Sequence, residues 1–197
     1  MYVPDHFRED RTDVLHQAVR DIAFATLVTP GLDANHLPML LGEGVLRGHV
    51  ARANPVWKNG DSEALAIFLG PHAYVSPNWY PSKAQTGKAV PTWNYLTVHA
   101  RGTIRWISDA DWLRTHVAAL SDAHEATREA PWKVGDAPAS YIDSLLRAIV
   151  GFELAVTNLE GKWKLSQNRD AADRAGVKNG LRHDGHEDLS RLIPSDE

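Results

Sequence analysis

Apolar residues recur first at helical spacing and then in short, strand-like runs. The helical stretch carries Val14, Leu15, Ala18, Val19 and Ile22. This spacing predicts a helix from about Glu9 to Asp21. Runs rich in β-forming residues follow, separated by turn residues: Phe24–Thr29, His36–Leu41, Val45–Ala51, Ala64–Leu69 and Tyr74–Val75. A chain that leaves a helix and meets five such runs is expected to build a sheet of consecutive strands.

The second half predicts one long strand, two helices and a last strand. Trp93–Ile107 alternates between two faces along its length and is the longest strand candidate. The helical stripes are Trp112, Leu113, Val117 and Leu120, then Ile142, Leu145, Leu146, Ile149 and Val150. Phe152, Leu154 and Val156 alternate as a final strand.

Two further segments are interpreted from their turn residues. Ser76–Pro91 contains three prolines and predicts a long loop or lid without a helix. Asp170–Lys178 predicts a short helix that Asn179–Gly180 ends.

The order of these elements favours a mainly β fold with helices. About six strands joined by short turns indicate antiparallel pairing, and no alternating βαβ pattern points to a doubly wound sheet. A small barrel or half-barrel is the expected closure, with an N-terminal helix, two helices before the last strand and a helical C-terminal end. We expect one domain over 1–180 and a polar tail over 181–197.

Composition removes several classes of function. The 197 residues include no cysteine, which excludes disulfides, thiolate zinc sites and cysteine nucleophiles. A formal net charge of −4 does not favour a protein coated in nucleic acid. The N-terminus has no signal-peptide pattern, and no apolar run approaches the roughly 20 residues that span a bilayer. A cytoplasmic protein is expected.

Candidate chemistry is densest at the end of the third strand. Arg47–Asn54 brings two arginines, a histidine and an asparagine together. Arg52 has the fork geometry that binds a phosphate, and backbone N–H groups at the strand end can complete an anion pocket. Ordinary charges on a solvated strand end explain the same pattern, and spacing alone favours that alternative.

Aromatic residues offer a second candidate on the long strand. Trp93 and Tyr95 lie on one face at i and i+2, beside the amide of Asn94. Such a floor suits a planar heterocyclic ligand. A packed core or a dimer interface would use the same pair.

Other catalytic motifs are missing from the sequence. His36, His49, His72 and His99 fall on separate elements, and the run His183–Asp188 lies in the polar tail, so no metal site is predicted. No G-x-S-x-G, Walker loop, G-x-G-x-x-G or helix–turn–helix pattern occurs.

Taken together, the motifs resemble the PaiB-like family of FMN-binding negative transcriptional regulators. The matching segments extend from position 1 to about 180: Met1–Phe7, Leu32–Pro38, Leu46–Asn54, Gly70–Pro77, Trp79–Lys83, Val90–Tyr95 and Leu159–Asn168. Each segment is weak alone, but the combination is specific.

The resemblance implies a split β-barrel of the pyridoxamine-phosphate-oxidase-like type that forms homodimers and binds FMN at the subunit interface. By analogy, the segment His49 to Asn54 follows the flavin, with Arg52 as the main cation on the phosphate. The implied cofactor-binding residues are Asn35, His36, His49, Val50, Ala51, Arg52, Asn54, Trp93, Asn94, Lys164, Gln167 and Asn168.

The resemblance leaves two functions open. One is a flavin-dependent regulator or sensor without turnover. The other is an FMN-dependent oxidoreductase acting on a small molecule with NAD(P)H, since the flavin itself supplies redox chemistry. Direct DNA binding is a separate hypothesis, for which the sequence offers no DNA-reading element; without it, repression would be indirect.

Overall fold

The structure is a computed structural model that describes residues 1–195. In this part of the chain, the strands are β1 (Arg8–Glu9), β2 (Phe24–Thr29), β3 (Asp33–Pro38), β4 (Leu40–Gly42), β5 (Val45–Ala51), β6 (Ser62–Val75), β7 (Thr92–Ile107) and β8 (Ile149–Lys164). The helices are α1 (Thr12–Ile22), α2 (Pro81–Thr86), α3 (Ala110–Glu125), α4 (Ala139–Leu146), α5 (Ala171–His183) and α6 (Glu187–Leu192).

The strands form one sheet in the order β3-β2-β6-β7-β8-β5-β4, and β1 pairs with β8. The pairs β1/β8, β2/β3, β2/β6, β4/β5 and β5/β8 are antiparallel. The mainly β, antiparallel prediction is therefore confirmed, as are the N-terminal helix, the two helices before the last strand and the helical C-terminal end. The second helix was predicted too long, because α4 ends at Leu146 and the predicted stripe residues Ile149 and Val150 begin β8.

The chain divides into two compact units. Unit A comprises Met1–Ala18, Phe68–His99 and the described chain from Glu160 onward, and unit B comprises Val19–Ile67 and Ala100–Leu159. Strands β6, β7 and β8 each contribute residues to both units.

Each unit has its own apolar cluster. In unit A the buried residues are Ala73, Val75, Tyr80, Leu165, Val177, Leu181, Leu189 and Ile193. In unit B, Leu113, Ile142 and Leu146 pack with Trp112, Val117 and Ile149. The alternation predicted for the long strand is also observed, because Asn94, Leu96, Val98 and Ala100 are buried on one side of β7.

Two proline-based predictions were wrong. Ser76–Pro91 contains a 3₁₀ turn (Pro77–Trp79) and helix α2. Pro77 and Pro81 stand at the start of these elements, where a helix needs no backbone donor and the proline φ is already helical. Ala64–Leu69 and Tyr74–Val75 were predicted as separate runs because Gly70–Pro71 lies between them, but both belong to β6, which continues to Val75. Pro71 is exposed, and its restricted φ is compatible with extended backbone.

The predicted stop at Asn179–Gly180 was wrong as well, because α5 continues to His183. A Cβ at Gly180 would overlap the indole ring of Trp79, and one at Gly176 would overlap the Trp79 carbonyl. These glycines therefore allow close packing rather than ending the helix.

The C-terminal segment extends this packing. Leu181 on α5, Leu189 on α6 and Ile193 just after it are buried. Positions 196 and 197 of the predicted tail lie outside the described residues. The division into one domain over 1–180 and a tail stays a prediction.

Candidate functional site

The end of strand β5 is the strongest candidate region of unit B. Register pairs Arg47 with Glu153 and Ala51 with Ile149. Val50 is buried and Ala51 is exposed, as alternation predicts. The strand ends beside the chain that leaves α4, and this placement brings Arg52 to the start of β8.

Arg52 is held by backbone carbonyl groups. Its Nε donates to the carbonyl of Arg147 at 2.7 Å, and its Nη2 donates to that of Ile149 at 2.9 Å. The guanidinium also lies 5.9 Å from the ring centroid of Trp57, whose Nε1 donates to the Arg52 carbonyl. A guanidinium has five N–H groups, so those not used on these carbonyls can bind an anion in a fixed orientation.

A cleft of about 330 Å³ lies beside this guanidinium. It is lined by Arg52, Ser108, Ala110, Asp111, Leu113, Arg114, Asp143, Leu146 and Arg147. Arg114 is bonded to Asp143, with both side chains about half exposed. Three arginines and a serine are donors that suit a phosphate group.

The two predicted asparagines of unit B contact each other. Asn54 Nδ2 donates to Asn35 Oδ1 at 2.6 Å, and Asn54 Oδ1 accepts from the backbone N–H of Val56. His36 is exposed, and its Nδ1 lies 3.0 Å from Thr26 Oγ1 on the paired strand. The structure therefore places Asn35 and Asn54 together and gives His36 a separate partner.

His49 faces a second histidine. Its Nδ1 lies 3.2 Å from Nε2 of His116, which is buried on α3. Burial lowers the pKa of His49. Burial, followed by the charges of His49 and Arg47, lowers the pKa of His116 to about 4. Both rings are therefore neutral at pH 7.

A carboxylate network lies next to this pair. Glu153 accepts from Arg47 Nε at 3.1 Å, from Arg105 Nη2 at 3.1 Å and from Trp112 Nε1 at 3.3 Å. Burial acts to raise the pKa of Glu153, but these hydrogen bonds outweigh it and leave the pKa below its ordinary value. Arg47 is thereby occupied by a carboxylate, unlike Arg52.

In unit A, the predicted residues of β7 differ in exposure. Asn94 is buried and exchanges hydrogen bonds with Ser166, whose φ is +64°. Trp93 is 54% exposed and packs edge-on against Tyr74 with ring centroids 6.2 Å apart. Asn94 therefore orders the chain after β8, while Trp93 remains available for contact.

The C-terminal predicted residues follow β8. Gln167 accepts from the backbone N–H of Leu165 and donates to the carbonyl of Trp163, so its amide closes the turn. Asn168 is exposed. Lys164 Nζ donates to Thr92 Oγ1 and to the carbonyl of Trp93.

Lys164 belongs to a group of like charges. Burial, followed by the charges of Lys162 and Arg169, lowers its pKa. The Lys162 ammonium lies 5.4 Å from the ring centroid of Tyr95, and the Arg169 guanidinium lies 4.6 Å from that of Tyr80. Three cations, two of them beside aromatic faces, form a second environment suited to an anion.

Several residues of these environments were not predicted from the sequence. Arg114, Arg147, Lys162 and Arg169 resemble ordinary surface charges in a linear sequence. His116 carried a usable signal, because it stands between Leu113 and Leu120 at the spacing of the buried helical stripe.

Two further findings concern the described residues. Within 1–195, no three His, Asp or Glu side chains converge as a metal ion would require. No helix in this range is both long and apolar enough to cross a membrane.

The chain is similar to known proteins over most of its length. A family model described as "Putative FMN-binding domain" matches residues 1–158. An uncharacterised protein of Emericella nidulans is 34% identical over 94% of this chain and 92% of its own. The Bacillus subtilis protease synthase and sporulation protein PAI 2 is 29% identical over 98% of this chain and 94% of its own.

Solved structures share the fold. An FAD and heme binding protein from Mycobacterium smegmatis has a TM-score of 0.61 at 18% identity, covering 85% of this chain and 78% of its own. The flavocytochrome Anf3 from Azotobacter vinelandii has a TM-score of 0.61 at 11% identity, and the match covers 88% of this chain and 78% of its own. The predicted PaiB-like resemblance, split-barrel fold class and FMN cofactor are confirmed. The roles of individual residues stay predictions.

Proposed function

Because the chain belongs to the family of FMN-binding domains, we propose that it binds FMN as a flavin-dependent sensor in negative transcriptional regulation. One observation carries the binding proposal: Arg52 is oriented by two carbonyls at the edge of a cleft that also contains Arg114 and Arg147. This donor set fits the phosphate of FMN, because a fixed guanidinium offers paired N–H groups to two oxygens.

The remaining residues of unit B supply polar contacts in this proposal. Asn35, His36, His49 and Asn54 offer amide and imidazole groups for the ribityl chain and the ring, and the backbone of Val50 and Ala51 follows the flavin. When bound, FMN supplies electron or hydride transfer. The chain's own contribution is to bind the phosphate and orient the ring.

Unit A contributes its own set of contacts. Trp93, Asn94, Lys164, Gln167 and Asn168 are assigned to FMN by the family resemblance. Lys164 supports this assignment best, because its ammonium is anchored by Thr92 and by the Trp93 carbonyl beside two other cations.

We further propose a cytoplasmic homodimer. Trp93 and Tyr74, which is 46% exposed, leave a large aromatic surface in contact with water on unit A. Exposed aromatic residues of this kind are enriched in protein interfaces. Sedimentation of the wild type and of Trp93→Ser tests this proposal, and a monomeric wild type at micromolar concentration would remove it.

The regulatory part rests on similarity and charge. The B. subtilis relative is a protease synthase and sporulation protein. The net charge of −4 does not favour a groove-binding surface, so we propose indirect action on transcription. A salt-dependent mobility shift with promoter DNA would contradict indirect action.

The absorbance spectrum of the purified protein is the first test. Flavin absorbance, or its appearance when FMN is added to the apoprotein, is expected. A colourless protein that takes up no FMN would overturn the proposal. Stopped-flow mixing with NAD(P)H then separates sensor from enzyme, because rapid bleaching and reoxidation by oxygen would favour the FMN-dependent oxidoreductase.

A further inference from the structure

The pair His49 and His116 has a geometry that restricts where its protons lie. His116 is 4% exposed, and its ring stacks on Trp112 with centroids 5.1 Å apart and an interplanar angle of 21°. Trp112 is in turn bonded to Glu153. The His116 ring is therefore held between the helix and the strand with its Nε2 directed at His49 Nδ1, 3.2 Å away.

One proton lies between the two facing nitrogens. Because both rings are neutral at pH 7, each carries a single N–H, on Nδ1 or on Nε2. A hydrogen bond at 3.2 Å needs one donor and one acceptor. Either His116 donates from Nε2 to His49, or His49 donates from Nδ1 to His116.

The second nitrogen of His116 distinguishes these two arrangements. Among the described residues, His116 Nδ1 is buried and has no hydrogen-bond partner. If His49 were the donor, the proton of His116 would have to reside on this Nδ1 as an unpaired, buried N–H. Orphaned buried N–H groups are rarer than under-satisfied acceptors.

We infer that His116 carries its proton on Nε2 and donates it to His49 Nδ1, so that His49 keeps its own proton on Nε2 and presents it as a donor. His116 is then a positioning residue for the FMN site, a role that rests on the proposed function. A fixed Nε2–H suits FMN, whose phosphate and ring carbonyl oxygens accept hydrogen bonds.

The tautomer can be measured without any flavin. Long-range ¹H–¹⁵N correlation spectra of the wild-type apoprotein at pH 7 report which nitrogen of each ring is protonated. We expect protonated Nε2 in both His49 and His116. A protonated Nδ1 in His49 would overturn the inference, whatever FMN does.

Two variants then test the positioning role. His116→Gln can place an amide donor near the position of Nε2 and should preserve the His49 tautomer and FMN affinity. His116→Phe removes the donor, so His49 should become a tautomer mixture and FMN affinity should fall about tenfold, as for one lost hydrogen bond. The matched control is His124→Gln, at an exposed position of the same helix.

The outcomes separate the inference from the proposed function. If the wild type binds FMN and folded His116→Phe binds it with the same affinity, the positioning role is overturned. Loss of affinity in both His116→Phe and His116→Gln, without a change in the His49 tautomer, would also overturn it. A wild type that binds no FMN would overturn the proposed function, while the measured tautomer would stand.

Discussion

Two cationic regions, one in each unit, hold their charges in different ways. In the Arg52 region of unit B (Arg52, Arg114 and Arg147), two of the guanidinium groups have acceptor partners. Backbone carbonyl groups accept hydrogen bonds from Arg52, and the carboxylate of Asp143 pairs with Arg114. The Lys164 region of unit A (Lys162, Lys164 and Arg169) groups like charges, and burial, followed by these charges, lowers the pKa of Lys164.

The difference separates orientation from attraction. A guanidinium fixed by neutral carbonyls retains its charge and gains direction, which favours selective recognition of a phosphate. The Lys164 ammonium is also anchored, by Thr92 and the Trp93 carbonyl, but it is a compact charge whose pKa is lowered by burial and by neighbouring cations. Such a group favours attraction of an anion more than paired recognition of two phosphate oxygens. We therefore expect selectivity for FMN over riboflavin to reside mainly in the Arg52 region.

The largest expected effect concerns the neutral histidine pair that neighbours the Arg52 region. The pKa of His116 is about 4 in the folded chain against an ordinary 6.5, so the unfolded chain binds the proton more tightly. The contribution of neutral His116 to the free energy of unfolding is fully present above pH 6.5 and is lost as pH drops from 6.5 toward 4. Urea unfolding across this interval should show a loss of about 3 kcal/mol.

His116→Gln should remove most of this acid sensitivity, because it leaves no buried ring to titrate at that position. His124→Gln is the matched control and should retain it. A wild-type free energy of unfolding that stays level from pH 6.5 to 4 would contradict a histidine kept neutral by burial.

Arg52→Ala should weaken FMN by about tenfold or more, since a charged hydrogen bond is worth about 1.5–3 kcal/mol. Riboflavin, which lacks the phosphate, should lose much less. Flavin fluorescence titration measures both ligands. Arg128→Ala, an exposed arginine paired with Glu125, is the control. Equal losses for FMN and riboflavin would end the phosphate role of Arg52.

Lys164→Met should weaken FMN by about threefold to tenfold, because it removes one charge but keeps the apolar stem. In the wild type, FMN affinity should fall as pH rises through the lowered pKa of Lys164, since only the ammonium attracts the phosphate. The same titration of Lys164→Met should lack this step. An identical pH profile would show that Lys164 does not contact the anion.

Arg114→Ala should have the smallest effect. Its ion pair with Asp143 is about half exposed, and such pairs contribute about 0–1 kcal/mol. We expect little change in the free energy of unfolding and a loss of FMN affinity of about twofold. A loss as large as that of Arg52→Ala would show that the carbonyl anchors do not distinguish the two arginines.

The local sequence determined those helices and strands in which the spacing of apolar residues matches the side chains that are buried. In β7, the alternation from Asn94 to Ala100 is visible in the sequence because successive strand residues point to opposite faces. The apolar stripe of α1 is visible for the corresponding helical reason. The resemblance of the motifs to a known family identified FMN as the cofactor, which the spacing of residues alone did not.

Tertiary structure decided the features that depend on residues distant in sequence. Gly180 reads as a helix stop, yet Trp79 occupies the space above it and α5 continues. Arg52 reads as a surface charge, yet the carbonyls of Arg147 and Ile149 orient it. These outcomes follow from packing and pairing across the chain, and local periodicity carries no information about them.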